Sequence, residues 1–216
     1  MKVSKSIIHY KISMEDLSID NPYLKKIQKM LLDNNHLPEE ELSKMLCNLR
    51  FDFVSDYSFT IPYYEILQRI ASYSPIVEIG AGSGYWARCL SILGADIIAY
   101  DRFPPGENHF WEWEKSNSWF DDSWYHIIEG DEYMAGLHPD RTLFLAWPMP
   151  MNPMAYNALL SYKNAGGKKV IYIGHPHPAS SGDENFYELL FTHKKIYETV
   201  LFGWPDIEER LLIYEI

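Results

Sequence analysis

From Ser74 onward, short apolar runs of strand length alternate with amphipathic stretches of helix length. That alternation predicts an open, mostly parallel sheet with helices on both faces. Strands are expected at 75–80, 95–101, 124–129, 142–147, 168–174, 196–203 and 210–216, and helices at 83–93, 153–164 and 183–192. The last two strands are separated by Gly203-Trp204-Pro205-Asp206, a turn signal with no room for a crossover helix, so they are expected to be antiparallel neighbours. Before Ser74 the pattern is helical. Asn21-Pro22 opens a helix with proline at its first position, and Leu24, Ile27, Met30 and Leu31 follow on one face. Leu37-Pro38, followed by three glutamates, opens a second, its acids lying where the helix dipole favours them. Residues 50–58 read as a link, and Ile61-Pro62 begins a third helix through Tyr64, Ile66, Leu67 and Ile70. The chain is therefore expected to be a single domain, with a helical extension over 1–73 and an α/β core over 74–216.

The most informative stretch lies where the first strand ends. Residues 76–84 read Ile-Val-Glu-Ile-Gly-Ala-Gly-Ser-Gly, and the next strand, beginning at Ala95, closes on Asp101. A glycine-rich turn between strand and helix lets backbone approach a ligand closely, because glycine carries no Cβ. A carboxylate at the tip of the second strand is placed to hold two ribose hydroxyls. A nucleoside cofactor is the expected ligand. The dinucleotide fingerprint G-x-G-x-x-G fits poorly, because Tyr85 stands where its third glycine packs inside the helix. Glu78, two residues before the turn, would repel a pyrophosphate and attract a cation.

Glu78-Ile79-Gly80-Ala81-Gly82-Ser83-Gly84, with Asp101 after the following strand, resembles motifs I and II of the class I S-adenosylmethionine-dependent methyltransferases. The ligand of that family carries an ammonium and a sulfonium. The resemblance covers roughly residues 56–216. It implies a doubly wound, Rossmann-like sheet of seven strands in the order 3-2-1-4-5-7-6, the seventh antiparallel. It also implies S-adenosylmethionine as cofactor, with Glu78, Gly80, Gly82, Gly84, Tyr85, Asp101 and Arg102 around it. Further along, Gly94-Ala-Asp-Ile-Ile-Ala-Tyr-Asp101, residues 138–148 and Ile171-Tyr-Ile-Gly174 resemble a small methyltransferase-like group whose substrate is not established.

The same resemblance gives meaning to three further places. Residues 56–62, Asp-Tyr-Ser-Phe-Thr-Ile-Pro, match a stretch that folds back over the cofactor, which makes Tyr57 and Phe59 lid residues; packing of the third helix onto the sheet is the alternative. Asp131 stands where an acidic residue accepts from the adenine amino group, and it is equally placed to cap a short helix. Trp147-Pro148-Met149-Pro150 occupies the place where amino-directed methyltransferases carry an acidic or amide residue followed by two prolines and an aromatic. Trp147 replaces the polar residue and joins the cofactor-binding set. The carbonyls of Ala146 and Trp147 remain to hold an acceptor, but methylation of a nucleobase amine is not expected.

Composition narrows the partners. The chain has 216 residues and a formal net charge of −11, with an isoelectric point of about 5.1. Nucleic-acid affinity rests largely on phosphate neutralisation by Lys and Arg, so nucleic acid is not an expected substrate. Residues 107–132 hold eight carboxylates and one lysine, interleaved with Trp111, Trp113, Trp119 and Trp124. They form either a solvated excursion with aromatic anchors or a lip that attracts a cationic or hydrophobic ligand. Cys47 and Cys89 lie without metal-type spacing and are expected to be reduced thiols in a cytoplasmic protein. Neither a signal peptide nor a membrane span is expected. His175-Pro176-His177-Pro178 suggests a metal at first sight, but no third ligand follows at matching spacing, so no metal is expected. It reads as a loop at the open end of the sheet, from which His175 would reach an acceptor as general base. The expected function is direct methyl transfer to a small, non-nucleic acceptor, small molecule or protein. A cofactor-binding module without chemistry and a nicotinamide-dependent oxidoreductase are the rival readings.

Overall fold

A computed structural model describes residues 5–106 and 117–216. The chain enters through short segments: Lys5–Ser6 pairs in parallel with Phe202–Gly203, and a single 3-10 turn follows. Helix α1 (Met14–Ser18) is set by a capping box, in which Ser13 Oγ accepts from the amide of Asp16 and the Asp16 carboxylate accepts from the amide of Ser13. Helix α2 (Pro22–Asp33) starts at the expected proline, with Asn21 Oδ1 accepting from the amide of Leu24. Helix α3 (Glu39–Asp56) runs through most of the segment expected to be a link. Phe53 and Val54 are buried at helical spacing, and Phe53 packs against Tyr23 and Trp204, so tertiary burial carries the helix onward. Helix α4 (Tyr64–Ala71) leads into the sheet.

The sheet is built from β1 (Ile76–Ile79), β2 (Ile97–Asp101), β3 (Ile128–Glu129), β4 (Thr142–Ala146), β5 (Lys169–Gly174), β6 (Lys194–Val200) and β7 (Arg210–Glu215). Its order is 3-2-1-4-5-7-6. Strands β1 to β5 run parallel, and β7 lies antiparallel between β5 and β6. This is the doubly wound Rossmann-like fold that the motifs imply. Helices α5 (Tyr85–Ile92), α6 (Met154–Asn164) and α7 (Glu184–Phe191) make the connections.

The period of two sorts the strand residues into two cores. Ile76, Phe144, Ile171, Ile173, Leu211 and Ile213 face α5 and the N-terminal helices. Val77, Ile79, Leu143, Leu145, Val170, Tyr172 and Leu212 face α6 and α7. Two strands have an end three or more residues away from where the pattern predicts it. β3 keeps only Ile128–Glu129 of the expected 124–129. The stretch before it is drawn to the glycine turn instead: the amide of Trp124 donates to Ser83 O at 2.7 Å and Tyr125 Oη donates to Ile97 O at 3.3 Å. β6 ends at Val200, because Leu201 turns its amide to Glu209 O at 2.8 Å and Phe202 joins the N-terminal segment.

Candidate cofactor site

The turn after β1 is held by the neighbouring strand. The amides of Gly80 and Ala81 both donate to Tyr100 O, at 2.9 and 3.0 Å. The amide of Gly82 donates to Asp101 Oδ2 at 2.8 Å, and that of Phe103 to Asp101 Oδ1 at 2.9 Å. Asp101 is thus tied across the tip of β2 to the glycine turn, where the sequence placed it. Burial raises its carboxyl above the ordinary value, and donation from Phe103 and Gly82 draws it back. Gly82 adopts φ +58°, a left-handed conformation that an L-side chain enters only with strain.

Glu78 sits on β1 beneath this turn. It is 1% exposed, and neither carboxyl oxygen has a hydrogen-bond partner among the described residues. Burial, and then the charge of Asp101, pushes its carboxyl up to about 8, with the nearby amide of Ala87 acting weakly in the opposite direction. Burying a carboxyl without partners is costly, and native interiors rarely leave one so. A cation laid against the turn would supply what Glu78 lacks. The residues present therefore fit a nucleoside cofactor bearing an ammonium: a close backbone approach, an acid for paired hydroxyls, and an unsatisfied acid for positive charge.

Aromatic residues roof the turn in two groups. Tyr57 stacks between Tyr23 (ring centroids 4.7 Å apart) and Trp124 (5.4 Å), and its carbonyl accepts from Ser83 Oγ. The stretch 56–62 is thereby bound to the glycine turn. Phe59 stacks on Trp147 at 5.7 Å and meets Trp119 and Phe120 edge-on at 5.3 and 6.3 Å. Phe120 reaches furthest in. A Cβ built on Gly82 would stand 2.6 Å from Phe120 Cε2, so this ring lies directly on the backbone a ligand would approach. Arg88 covers a face of Trp124 at 5.4 Å, which leaves that ring less open to a cationic ligand than expected. Trp111, Trp113 and Lys115 lie outside the described residues.

The remaining sequence-predicted residues separate. Tyr85 is fully buried, its hydroxyl donating to Asn21 Oδ1 at 2.8 Å and accepting from the amide of Tyr23 at 3.0 Å, so its backbone alone borders the turn. Arg102 is exposed and pairs with the buried Glu132 at 2.9 Å. Asp131 caps the 3-10 turn after β3, accepting from the amide of Tyr133 at 3.0 Å. His175 follows β5, two strands from β1, and shares a cleft with His177, Lys195, Glu198, Glu208 and Arg210. Sequence reasoning missed Ser83, Asn117 and Phe120. Ser83 was legible as the polar residue inside the turn. Asn117, whose side chain accepts from the amides of Trp119 and Phe120 and so shapes the approach of Phe120, was legible as an Asn poised to bond the backbone two and three residues on.

No family model matches the chain, and no curated protein matches it. Several solved structures are similar in fold. Magnesium protoporphyrin IX methyltransferase from Synechocystis PCC 6803, with bound S-adenosylhomocysteine, has a TM-score of 0.47 and 11% identity over 70% of this chain and 81% of that one. A protein of the NADB-Rossmann superfamily from Streptococcus agalactiae has a TM-score of 0.45 and 15% identity over 71% of this chain and 68% of that one. The M1A22 tRNA methyltransferase of B. subtilis has a TM-score of 0.39 and 16% identity over 69% of this chain and 64% of that one.

Proposed function

We propose that the chain is an S-adenosylmethionine-dependent methyltransferase acting on a small, non-nucleic acceptor, and that it works in the cytoplasm. The observation that carries the cofactor assignment is the buried carboxyl of Glu78, without a hydrogen-bond partner among the described residues, beneath a glycine turn whose Gly82 amide is bound to Asp101. S-adenosylmethionine, bound there, supplies a methyl group made electrophilic by its sulfonium. The glycine turn, with the amide of Tyr85 at its end, provides close backbone approach. Asp101 accepts from the ribose hydroxyls with the lone pairs its two backbone donors leave. Glu78 pairs with the ammonium. Asp131 and Arg102 flank the adenine side, while Tyr57 and Trp147 belong to the aromatic cover. Direct transfer rests chiefly on positioning and on excluding water, which that cover serves. No helix among the described residues is long and apolar enough to cross a membrane.

One observation favours a second reading. β4 is followed by Trp147 where an acid or amide would hold an acceptor amine, as a binding module without chemistry would allow. A stabilisation scan with S-adenosylmethionine, S-adenosylhomocysteine, NAD and NADP separates the possibilities. A ligand present at a hundred times its dissociation constant adds about 2.7 kcal/mol to stability. The two adenosyl compounds are expected to stabilise the protein and the nicotinamides are not. Asp101→Ala should weaken S-adenosylhomocysteine by about 1.5–3 kcal/mol, the scale of hydrogen bonds to a charged group. Unchanged affinity by calorimetry would remove the ribose assignment. Binding without production of S-adenosylhomocysteine from S-adenosylmethionine in cell extract would favour the binding module.

A further inference from the structure

Thr60, Trp147 and Glu209 are distant in sequence and meet at the tip of β4. The indole N–H of Trp147 lies 2.7 Å from Thr60 Oγ1 and 2.9 Å from Glu209 Oε1, and the Thr60 hydroxyl donates to the same carboxylate oxygen at 2.9 Å. Trp147 itself has φ +48°, a left-handed conformation costing a non-glycine residue about 1–2 kcal/mol. Strain of this kind persists only where the surroundings over-determine it. Its ring stacks on Phe59, which meets Phe120, which lies on Gly82, so an unbroken run of rings joins this cluster to the glycine turn.

Glu209 is fully buried, and its Oε2 has no hydrogen-bond partner among the described residues. Gly203 makes room for it: a Cβ there would stand 2.5 Å from Oε2. The guanidinium of Arg50 lies 6.0 Å from the Trp147 ring and acts on the Glu209 charge.

We propose that Glu209 is a positioning residue for the acceptor side of the cleft, supplying through Trp147 and Thr60 the carboxylate that the tip of β4 lacks. This rests on the methyltransferase reading above. The link between β6 and β7 brings an acid to the point where β4 has none, and the acid grips the indole. The grip fixes both the ring and the left-handed backbone of residue 147. An acceptor then meets the ring face and the carbonyls of Ala146 and Trp147 in one geometry, and such placement is a large part of what speeds an in-line transfer. Burial pushes the Glu209 carboxyl up to about 7, while donation from Thr60, the Arg50 charge and donation from Trp147 hold it down. Besides Arg50, Tyr23, Tyr63 and Tyr172 among the described residues feel this carboxyl, and burial raises the hydroxyl of each so that it stays neutral. Its chain neighbours Glu208 and Arg210 pair with each other. The charged form accepts the stronger hydrogen bonds, so the indole is held more firmly as pH rises through neutrality.

The test is a near-ultraviolet circular dichroism titration of the tryptophan bands in the wild type, Glu209→Gln and Trp147→Phe, with S-adenosylhomocysteine affinity and methyl transfer into cell extract measured on the same samples. A step centred near neutrality is expected in the wild type and in neither variant. Cofactor affinity should stay within about twofold in Glu209→Gln, and transfer at saturating cofactor should fall at least about tenfold in both variants. Trp147→Phe leaves the acid in place, so it decides the matter if Glu209→Gln does not fold. A step that persists in Glu209→Gln belongs to another group, Glu78 among the candidates, and overturns the proposal. So does transfer undiminished in variants that have lost the step, or a loss of cofactor affinity in Glu209→Gln as large as that of Asp101→Ala. A wild-type protein that binds no S-adenosylhomocysteine brings down the methyltransferase reading, and the acceptor role with it.

Discussion

Glu78 is the residue whose environment makes the sharpest demand. An unfolded chain releases its proton near 4.5, the folded protein near 8. Between those values the unfolded state binds fewer protons, so stability falls as pH climbs from 4.5 to 8. Glu78→Gln should remove that decline, raising the melting temperature at pH about 8.5 more than at pH about 5. A cation beside Glu78 favours its charged form, so S-adenosylhomocysteine should bind the wild type more tightly as pH approaches 8, and Glu78→Gln with little pH dependence. Affinities that track together with pH in the two proteins would remove Glu78 from the site. Phe120 makes a different demand, since its ring lies on Gly82. A conformer that covers the turn lowers apparent affinity by the fraction of time it is occupied. Phe120→Ala should therefore tighten S-adenosylhomocysteine by roughly three- to tenfold, mostly through a faster on-rate. Tenfold weaker binding would instead make the ring a wall of the site.

At the scale of elements, the strands and helices that alternate along the core were legible because each carries its own period and its own stop signal. The glycine turn and Asp101 were legible for the same local reason. What escaped depended on contacts between distant segments. α3 continues past residue 50 because Phe53 finds Tyr23 and Trp204, and β3 is short because Trp124 is bound to Ser83. The Ser13–Asp16 capping box was a local signal left unread. Glu209 reached the site through a fold no spacing discloses. Tyr85 shows both sides: its position in the turn was readable, its partner on α2 was not. Its hydroxyl pins the start of α2 to the start of α5. Tyr85→Phe leaves the amide of Tyr23 and the side chain of Asn21 short of a partner, and should cost about 1–3 kcal/mol. That corresponds to roughly 2–4 °C of melting temperature per kcal/mol for a chain of this size. Cofactor affinity should hardly change, because only the backbone of Tyr85 borders the turn. A large loss of affinity without a loss of stability would place its side chain in the site.

For the whole molecule, charge bears on what the acceptor is. The net charge is −11, and the arginines are already engaged. Arg88, Arg102, Arg141 and Arg210 each lie against a carboxylate, while Arg50 and Arg69 lie over aromatic rings. A phosphate backbone would meet a chain with 30 acids against 19 lysines and arginines, so binding should lack the steep salt dependence of phosphate recognition. The aromatic rings over the glycine turn and the carboxylates of residues 117–132 suit a small acceptor with an apolar body or positive charge instead. Fractionation of cell extract after incubation with labelled S-adenosylmethionine decides it. Label is expected in the metabolite or protein pool and not in nucleic acid, and added salt at about 0.2 M should leave its amount nearly unchanged. Label confined to RNA or DNA, falling steeply with salt, would overturn the acceptor class and leave the proposed cofactor assignment standing, because no acceptor contact is proposed for Glu78, Gly82 or Asp101.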